Sequence, residues 1–217
     1  MKKELLQRYF VAGSQNFPDL TLSEYEERIA LIMKSGITAY QFREKNPDLS
    51  TDEKRALAMR LREKARELDV PFIVDDDVAL ALAVEADGIH VGQDDMPIAD
   101  VVKRIAGQMI VGLSVRNETE MVAAQSVAGI DYLGVGPVFA TTTKADAAAP
   151  LGLKGLATTL NANTKQLPTV AIGGIKLEDL PALQQAGVDG VAVISLLSEA
   201  RNVRAVINDM KEKWGTL

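Results

Sequence analysis

The residues best equipped for chemistry are two acid clusters. Asp75-Asp76-Asp77 follows the apolar run Pro71-Phe72-Ile73-Val74, and Gln93-Asp94-Asp95 closes the run Gly88-Ile89-His90-Val91-Gly92. Each run is short, apolar and followed by a helix-like segment, the pattern of a buried parallel strand. Aspartates at the carboxyl ends of two such strands bring hard oxygen ligands to one mouth of a sheet. This arrangement suits Mg2+, which takes one or two carboxylates and leaves its other positions to water and substrate phosphates. The competing reading is that the acids cap the following helices, because Asp is a favoured N-cap.

Cations converge on the same place. In Tyr40-Gln41-Phe42-Arg43-Glu44-Lys45 the strand alternation puts Tyr40 and Phe42 on the helix side and Gln41, Arg43 and Lys45 on the inner side. Inward Arg and Lys would be costly to bury without an anion, and Arg offers a planar fork that matches phosphate. A solvated strand end with Lys45 or Arg43 paired to Glu44 is the plainer alternative. Gly112-Leu113-Ser114 adds a hydroxyl to the rim. His90, the one histidine, lies inside a strand with no serine base arrangement around it, so a hydrolase triad is not expected.

A long connection then carries Thr141-Thr142-Thr143-Lys144, several donors and one positive charge of the kind phosphate oxygens require. Long loops in compact domains are usually lids or binding loops. Further on, Ile172-Gly173-Gly174-Ile175 and Val193-Ile194-Ser195 close two later strands, and glycines there let backbone N–H groups approach a ligand. Two anion sites across one mouth point to two phosphorylated substrates, one bearing a diphosphate that leaves with the metal.

Positioning all of these at one rim requires a regular scaffold. Strand-like stretches occur at 9–12, 39–43, 72–75, 88–91, 109–114, 132–136, 169–172 and 190–194, with helix-like stretches such as 22–34, 51–68, 98–106 and 118–128 between them. Eight βα units predict an α/β fold, a (β/α)8 TIM barrel spanning residues 1–217 as a single domain; an open doubly wound sheet is the rival. An internal repeat supports closure. Ser35-Gly36-Ile37-Thr38, Ala86-Asp87-Gly88, Gly129-Ile130-Asp131 and Gly187-Val188-Asp189 each place a small helix-ending residue and a polar turn before an even-numbered strand. Asp87, Asp131 and Asp189 therefore fall at the opposite, stability end. The loops after the seventh and eighth strands are the usual phosphate site of this fold.

Bulk properties set limits. The 217 residues are 47% hydrophobic and 25% charged with net charge −6, and they include five Phe, four Tyr and one Trp. That excludes the basic surface needed for non-specific nucleic-acid binding. The absence of cysteine excludes disulfides and a thiol nucleophile. The opening Met-Lys-Lys-Glu-Leu-Leu has no signal-peptide core and no stretch reaches the ~20 apolar residues of a membrane span, so a cytoplasmic location with no membrane partner is expected. Trp214 is expected to pack the last helix on the barrel.

Taken together, Gln41-Phe42-Arg43-Glu44-Lys45, Asp76-Asp77, the stretch from Asp87 through His90 to Asp94-Asp95, Thr141-Thr142-Thr143-Lys144 and Ile172-Gly173-Gly174-Ile175 resemble the thiamine phosphate synthase family over nearly the whole chain. The resemblance implies condensation of an aminopyrimidine methyl diphosphate with a thiazole phosphate, giving thiamine phosphate and pyrophosphate. It implies that Gln41, Phe42, Arg43, Glu44, Lys45, Asp75, Ser114 and Lys144 hold the pyrimidine diphosphate, with Arg43, Lys45, Lys144 and Ser114 catalytic. It also implies that Asp76 and Asp95 bind Mg2+ and that Thr141, Thr142, Thr143, Gly174, Ile194 and Ser195 hold the thiazole phosphate. A homodimer is plausible by the same analogy. One departure is that the family usually has Asn where this chain has Asp75; a carboxylate only accepts, whereas an amide also donates. The rival functions are a thiazole tautomerase on the same barrel and a non-catalytic binding protein for a phosphorylated metabolite.

Overall fold

The computed structural model describes residues 1–143 and 148–214. Eight parallel strands close on themselves in sequence order: β1 (Arg8–Ala12), β2 (Ala39–Phe42), β3 (Phe72–Asp75), β4 (Gly88–Val91), β5 (Ile110–Val115), β6 (Tyr132–Val135), β7 (Thr169–Ile172) and β8 (Gly190–Val193). β1 pairs with β8 through Tyr9 opposite Ala192, so no edge is left open. The fold is the predicted (β/α)8 barrel, and closure removes the doubly wound rival.

The helices start where the sequence supplies caps. α1 (Leu22–Lys34) and α2 (Thr51–Glu67) each open on a capping box, Thr21 with Glu24 and Ser50 with Glu53. α3 (Val78–Ala83) is capped by Asp77, whose carboxylate accepts from the Leu80 N–H at 2.9 Å, so for this acid the capping reading was correct. α4 (Ile98–Ile105), α5 (Glu118–Gln125), α6 (Gly152–Asn161), α7 (Leu180–Gln185), the four-residue α8 (Ser195–Ser198) and α9 (Val203–Trp214) complete the outer ring. α5 stops earlier than the predicted 128 because the chain turns toward Gly129, which sits at φ +93°.

Strand alternation divides the core in two. Outward residues such as Phe10, Tyr40, Phe42 and Phe72 pack under the helices, with Phe42 stacked on Phe72 at 5.8 Å. Inward residues Tyr9, Val11, Ala39, Ile73, Tyr132, Val170 and Ala192 fill the barrel. Trp214 packs with the outer set, 8% exposed.

The sequence repeat is also a hydrogen-bond repeat. Asp87 accepts from Phe72 N–H, Asp131 from Val111 N–H and Asp189 from Thr169 N–H, at 2.8, 2.9 and 2.8 Å. Thr38 Oγ1 does the same for Arg8 N–H at 2.9 Å. Each turn before an even strand thus ties down the start of the odd strand beside it, at the end remote from the acid clusters. Among the described residues, no helix is long and apolar enough to cross a membrane.

Candidate active site

The carboxyl ends of the strands enclose a cavity of about 530 Å³. Gln41, Arg43 and Lys45 enter it from β2 and the turn that follows. Asp75 and Asp76 come from β3, Asp94 and Asp95 from the turn after β4, and Ser114 from the end of β5. Thr141 and Thr143 of the loop after β6, Gly174 after β7, and Ile194 and Ser195 after β8 complete the opposite wall.

The charges pair across the mouth. Lys45 Nζ lies 2.6 Å from Asp76 Oδ2 and 3.9 Å from Asp75 Oδ2, while Arg43 Nε lies 3.3 Å from Asp75 Oδ2. The Asp76 and Asp95 carboxyls stand close enough to act on one another. For Asp76, burial opposes ionisation, but the hydrogen bonds from Asp95 and Lys45 outweigh it and hold the group below the ordinary range. For Asp95, burial and the contact with Asp76 push it up, against the Gly92 N–H that donates to Oδ2 at 2.7 Å. Burial works against the Lys45 cation, yet the Asp76 contact outweighs it and raises the amine.

Asp75 is the least satisfied of the acids. Burial first, and the neighbouring Asp76 charge second, raise it to about 7 despite Arg43 and Lys45. Its Oδ2 is ion-paired but accepts no hydrogen bond, alone in this among the buried side-chain polar atoms of the described residues.

Backbone geometry sets these side chains in place. Asp76 has φ +62°, a left-handed conformation that Asp tolerates better than most residues, and its N–H donates to His90 O at 2.8 Å. Glu44 Oε2 accepts from Ser14 N–H, while its Oε1 accepts from Ser14 Oγ and Asn46 N–H. Gln15 Nε2 donates to Arg43 O and its Oε1 accepts from Lys45 N–H. The Arg43–Lys45 turn is therefore stitched to the segment after β1. Gly174, at φ +62°, stands where a Cβ would come within 2.3 Å of Ala140 O, so the loops after β6 and β7 touch only because it is glycine.

Several sequence expectations need correction. His90 was expected to have no serine near it, yet its Nε2 lies 2.9 Å from Ser114 Oγ, because β4 and β5 are neighbours and both side chains point into the barrel. Phe42 is 1% exposed in the outer core and does not line the cavity, because β2 alternation points it under the helices. Glu44 is buried and committed to Ser14 and Asn46, making it a structural clamp; Arg43 and Lys45 pair with Asp75 and Asp76 rather than with it. Thr142 is exposed and off the cavity wall, while Thr141 Oγ1 accepts from Thr143 N–H. Lys144 lies outside the described residues. Sequence reasoning missed Arg116, a cavity cation that contacts Asp94 at 3.5 Å and Glu120 at 3.2 Å. Its place two residues after Ser114 gives it the same inward parity, which was the available signal.

A barrel with cations, acids and hydroxyls gathered at its carboxyl mouth defines an enzyme of anionic, phosphorylated small molecules. The family model described as thiamine monophosphate synthase matches residues 8–197. The chain is 47% identical to the thiamine-phosphate synthase of Lactococcus lactis subsp. cremoris (strain MG1363), covering 98% of this chain and 97% of that one. It is likewise 47% identical to the thiamine-phosphate synthase of Levilactobacillus brevis, over 97% and 95%. A solved thiamine phosphate pyrophosphorylase from Pyrococcus furiosus superposes with TM-score 0.83 at 36% identity, covering 98% of this chain and 97% of that chain. The chain belongs to the thiamine monophosphate synthase family.

Proposed function

We propose that this barrel joins 4-amino-2-methyl-5-(diphosphooxymethyl)pyrimidine to 4-methyl-5-(2-phosphooxyethyl)thiazole, giving thiamine phosphate and pyrophosphate. It is a transferase step of thiamine biosynthesis. The observation that carries the reading is the meeting of Arg43, Lys45, Asp76, Asp95 and Ser114 in one cavity of a chain 47% identical to thiamine-phosphate synthases along its length. A tautomerase or a passive binding protein has no need for that set of charges.

The substrate C–O bond to the diphosphate breaks, leaving a pyrimidinyl methyl cation, and the thiazole nitrogen supplies the electron pair for the new C–N bond. No protein nucleophile takes part. The work of the protein is electrostatic: Arg43 and Lys45, and Lys144 from the loop after β6, offset charge that grows on the leaving group. Because Arg43 and Lys45 already pair with acids, an incoming diphosphate competes with Asp75 and Asp76 for them. Gln41 and Asp75 meet the pyrimidine. Thr141, Thr143, Gly174, Ile194 and Ser195 hold the thiazole phosphate, and the connection from Thr141 to α6 keeps water from the cation.

Asp76 and Asp95 fit Mg2+: two carboxyls in direct contact at the mouth give hard oxygen donors, and the remaining positions fall to diphosphate oxygens and water. When bound, the ion supplies further charge neutralisation for the leaving pyrophosphate. The deciding experiment follows pyrophosphate release from both substrates with and without Mg2+. Release only with both substrates and the metal is expected. Release without the thiazole phosphate, or no release at all, overturns the reading.

A further inference from the structure

Across the floor of the cavity runs a line of hydrogen bonds that connects two of its walls. Gln41 Nε2 donates to Tyr9 OH at 3.0 Å, and the Tyr9 and Tyr132 hydroxyls are 2.7 Å apart. Tyr132 OH lies 2.9 Å from His90 Nδ1, and His90 Nε2 lies 2.9 Å from Ser114 Oγ. Both tyrosines are 1% exposed and His90 8%. Gln41 and Ser114, the two ends, line the cavity, as do Tyr9 and His90 between them, while Tyr132 does not. Room for the middle is made on β5: a Cβ on Gly112 would come within 2.3 Å of the Tyr132 ring and 2.4 Å of His90 Nδ1.

Counting protons gives the line a direction. An amide nitrogen only donates, so Tyr9 OH accepts from Gln41. Each phenol has one proton. The side-chain contacts of the Tyr9 hydroxyl run to Gln41 and Tyr132, so its proton goes to Tyr132, and the proton of Tyr132 then goes to His90 Nδ1. With the Gln41 amide nitrogen facing Tyr9, the reverse order would leave the Tyr9 proton without an acceptor among the side chains that its hydroxyl contacts. A ring nitrogen that accepts at Nδ1 carries its proton on Nε2, and that proton is donated to Ser114 Oγ. The serine oxygen is then an acceptor from below, and its own proton is left to donate upward.

We infer that Tyr9, Tyr132 and His90 are positioning residues that set the tautomer of His90 and so present Ser114 as a hydrogen-bond donor to an anionic oxygen of the substrate. The identity of that oxygen, a diphosphate oxygen, rests on the proposed function; the direction of the line does not. The arrangement makes the Ser114 end of the cavity favour acceptor groups and disfavour donors.

The chain's single histidine allows a direct test. Nitrogen NMR of the 15N-labelled full-length chain should show His90 protonated on Nε2 and bare on Nδ1. Gln41→Glu replaces the donor by an acceptor and should move the proton to Nδ1. Tyr132→Phe keeps the ring but cuts the line; kcat should fall about two- to tenfold, the cost of one hydrogen bond, with KM for the thiazole phosphate unchanged. Tyr132→Phe combined with Ser114→Ala should then be no worse than Ser114→Ala alone. An Nδ1-protonated or doubly protonated His90 in the wild type overturns the inference, as does an unchanged tautomer in Gln41→Glu or full additivity of the two substitutions. The wild-type spectrum decides even if a variant does not fold. An Nε2-protonated His90 in a chain that does not turn over the two substrates would support the line while sinking the proposed function.

Discussion

Asp75→Asn should stabilise the substrate-free, chelator-treated chain, and by a margin that grows with pH. The Asp75 carboxyl is 9% exposed, has one oxygen without a hydrogen bond, and titrates at about 7 instead of the ordinary 3.8. Its folded state therefore prefers the proton. Well below pH 3.8 this carboxyl is protonated in both the folded and the unfolded chain and nothing is lost. As pH rises from 3.8, the unfolded chain releases the proton while the folded chain keeps it, so stability drains away until pH passes about 7. At 1.36 kcal/mol per pH unit, the loss is about 2 kcal/mol at pH 5 and about 4 kcal/mol at pH 8. Asparagine does not titrate and has no such loss. The margin of Asp75→Asn over the wild type should thus widen by about 2 kcal/mol between pH 5 and pH 8, or roughly 4–8 °C in Tm for a domain of this size. Urea unfolding at several pH values measures it. A margin that stays flat between pH 5 and pH 8 would mean that burial does not raise Asp75, and one that shrinks as pH rises through 3.8 would mean that its pairing with Arg43 outweighs burial.

Five other substitutions separate the two ends of the barrel. Asp76→Ala and Asp95→Ala should each lower turnover roughly 100-fold, as removal of a group stabilising transition-state charge does, whereas Asp94→Ala, with its side chain 90% exposed, should stay near normal; a pyrophosphate-release assay across a Mg2+ titration reads all three. Asp189→Ala removes the carboxylate that binds Thr169 N–H at 2.8 Å and should cost about 1.5–3 kcal/mol in urea, with kcat of the folded enzyme unchanged. Phe42→Ala should cost about 3–5 kcal/mol by opening the outer core; a change in KM for the pyrimidine diphosphate without that loss would return Phe42 to the substrate site.

The fold was legible because its signals are local and repeated. Eight short apolar runs separated by capped helices leave few ways to close a sheet, and six of the eight strand starts agree with the periodic reading. The turn before each even strand needs a residue that leaves a helix and an acceptor that holds the neighbouring strand, and Gly36 with Thr38, Gly129 with Asp131, and Gly187 with Asp189 write that need into the sequence. The candidate site was legible where parity decides, as at Gln41, Arg43 and Lys45. It was not legible where a residue's role depends on a partner far away in sequence. Glu44 has the parity of a helix-facing residue but is held by Ser14, thirty positions back, and nothing local signals that contact. Tyr132 and Gly112 look like ordinary strand residues until the barrel brings them against His90.

The same amino acid does opposite work at the two ends, and the backbone explains why. At the amino end of a parallel strand the first N–H groups have no partner, so Asp87, Asp131 and Asp189 find donors waiting and become struts. At the carboxyl end the strands present C=O groups, which repel a carboxylate. Asp76 and Asp95 there crowd each other, and Asp75 Oδ2 finds ion pairs but no hydrogen bond. An acid in that position is relieved by a cation. Arg43 and Lys45 supply it here; on the proposed function, a diphosphate that draws these side chains away would leave the acids needing another positive charge, which is the condition under which a divalent ion and the anion bind together and neither binds well alone.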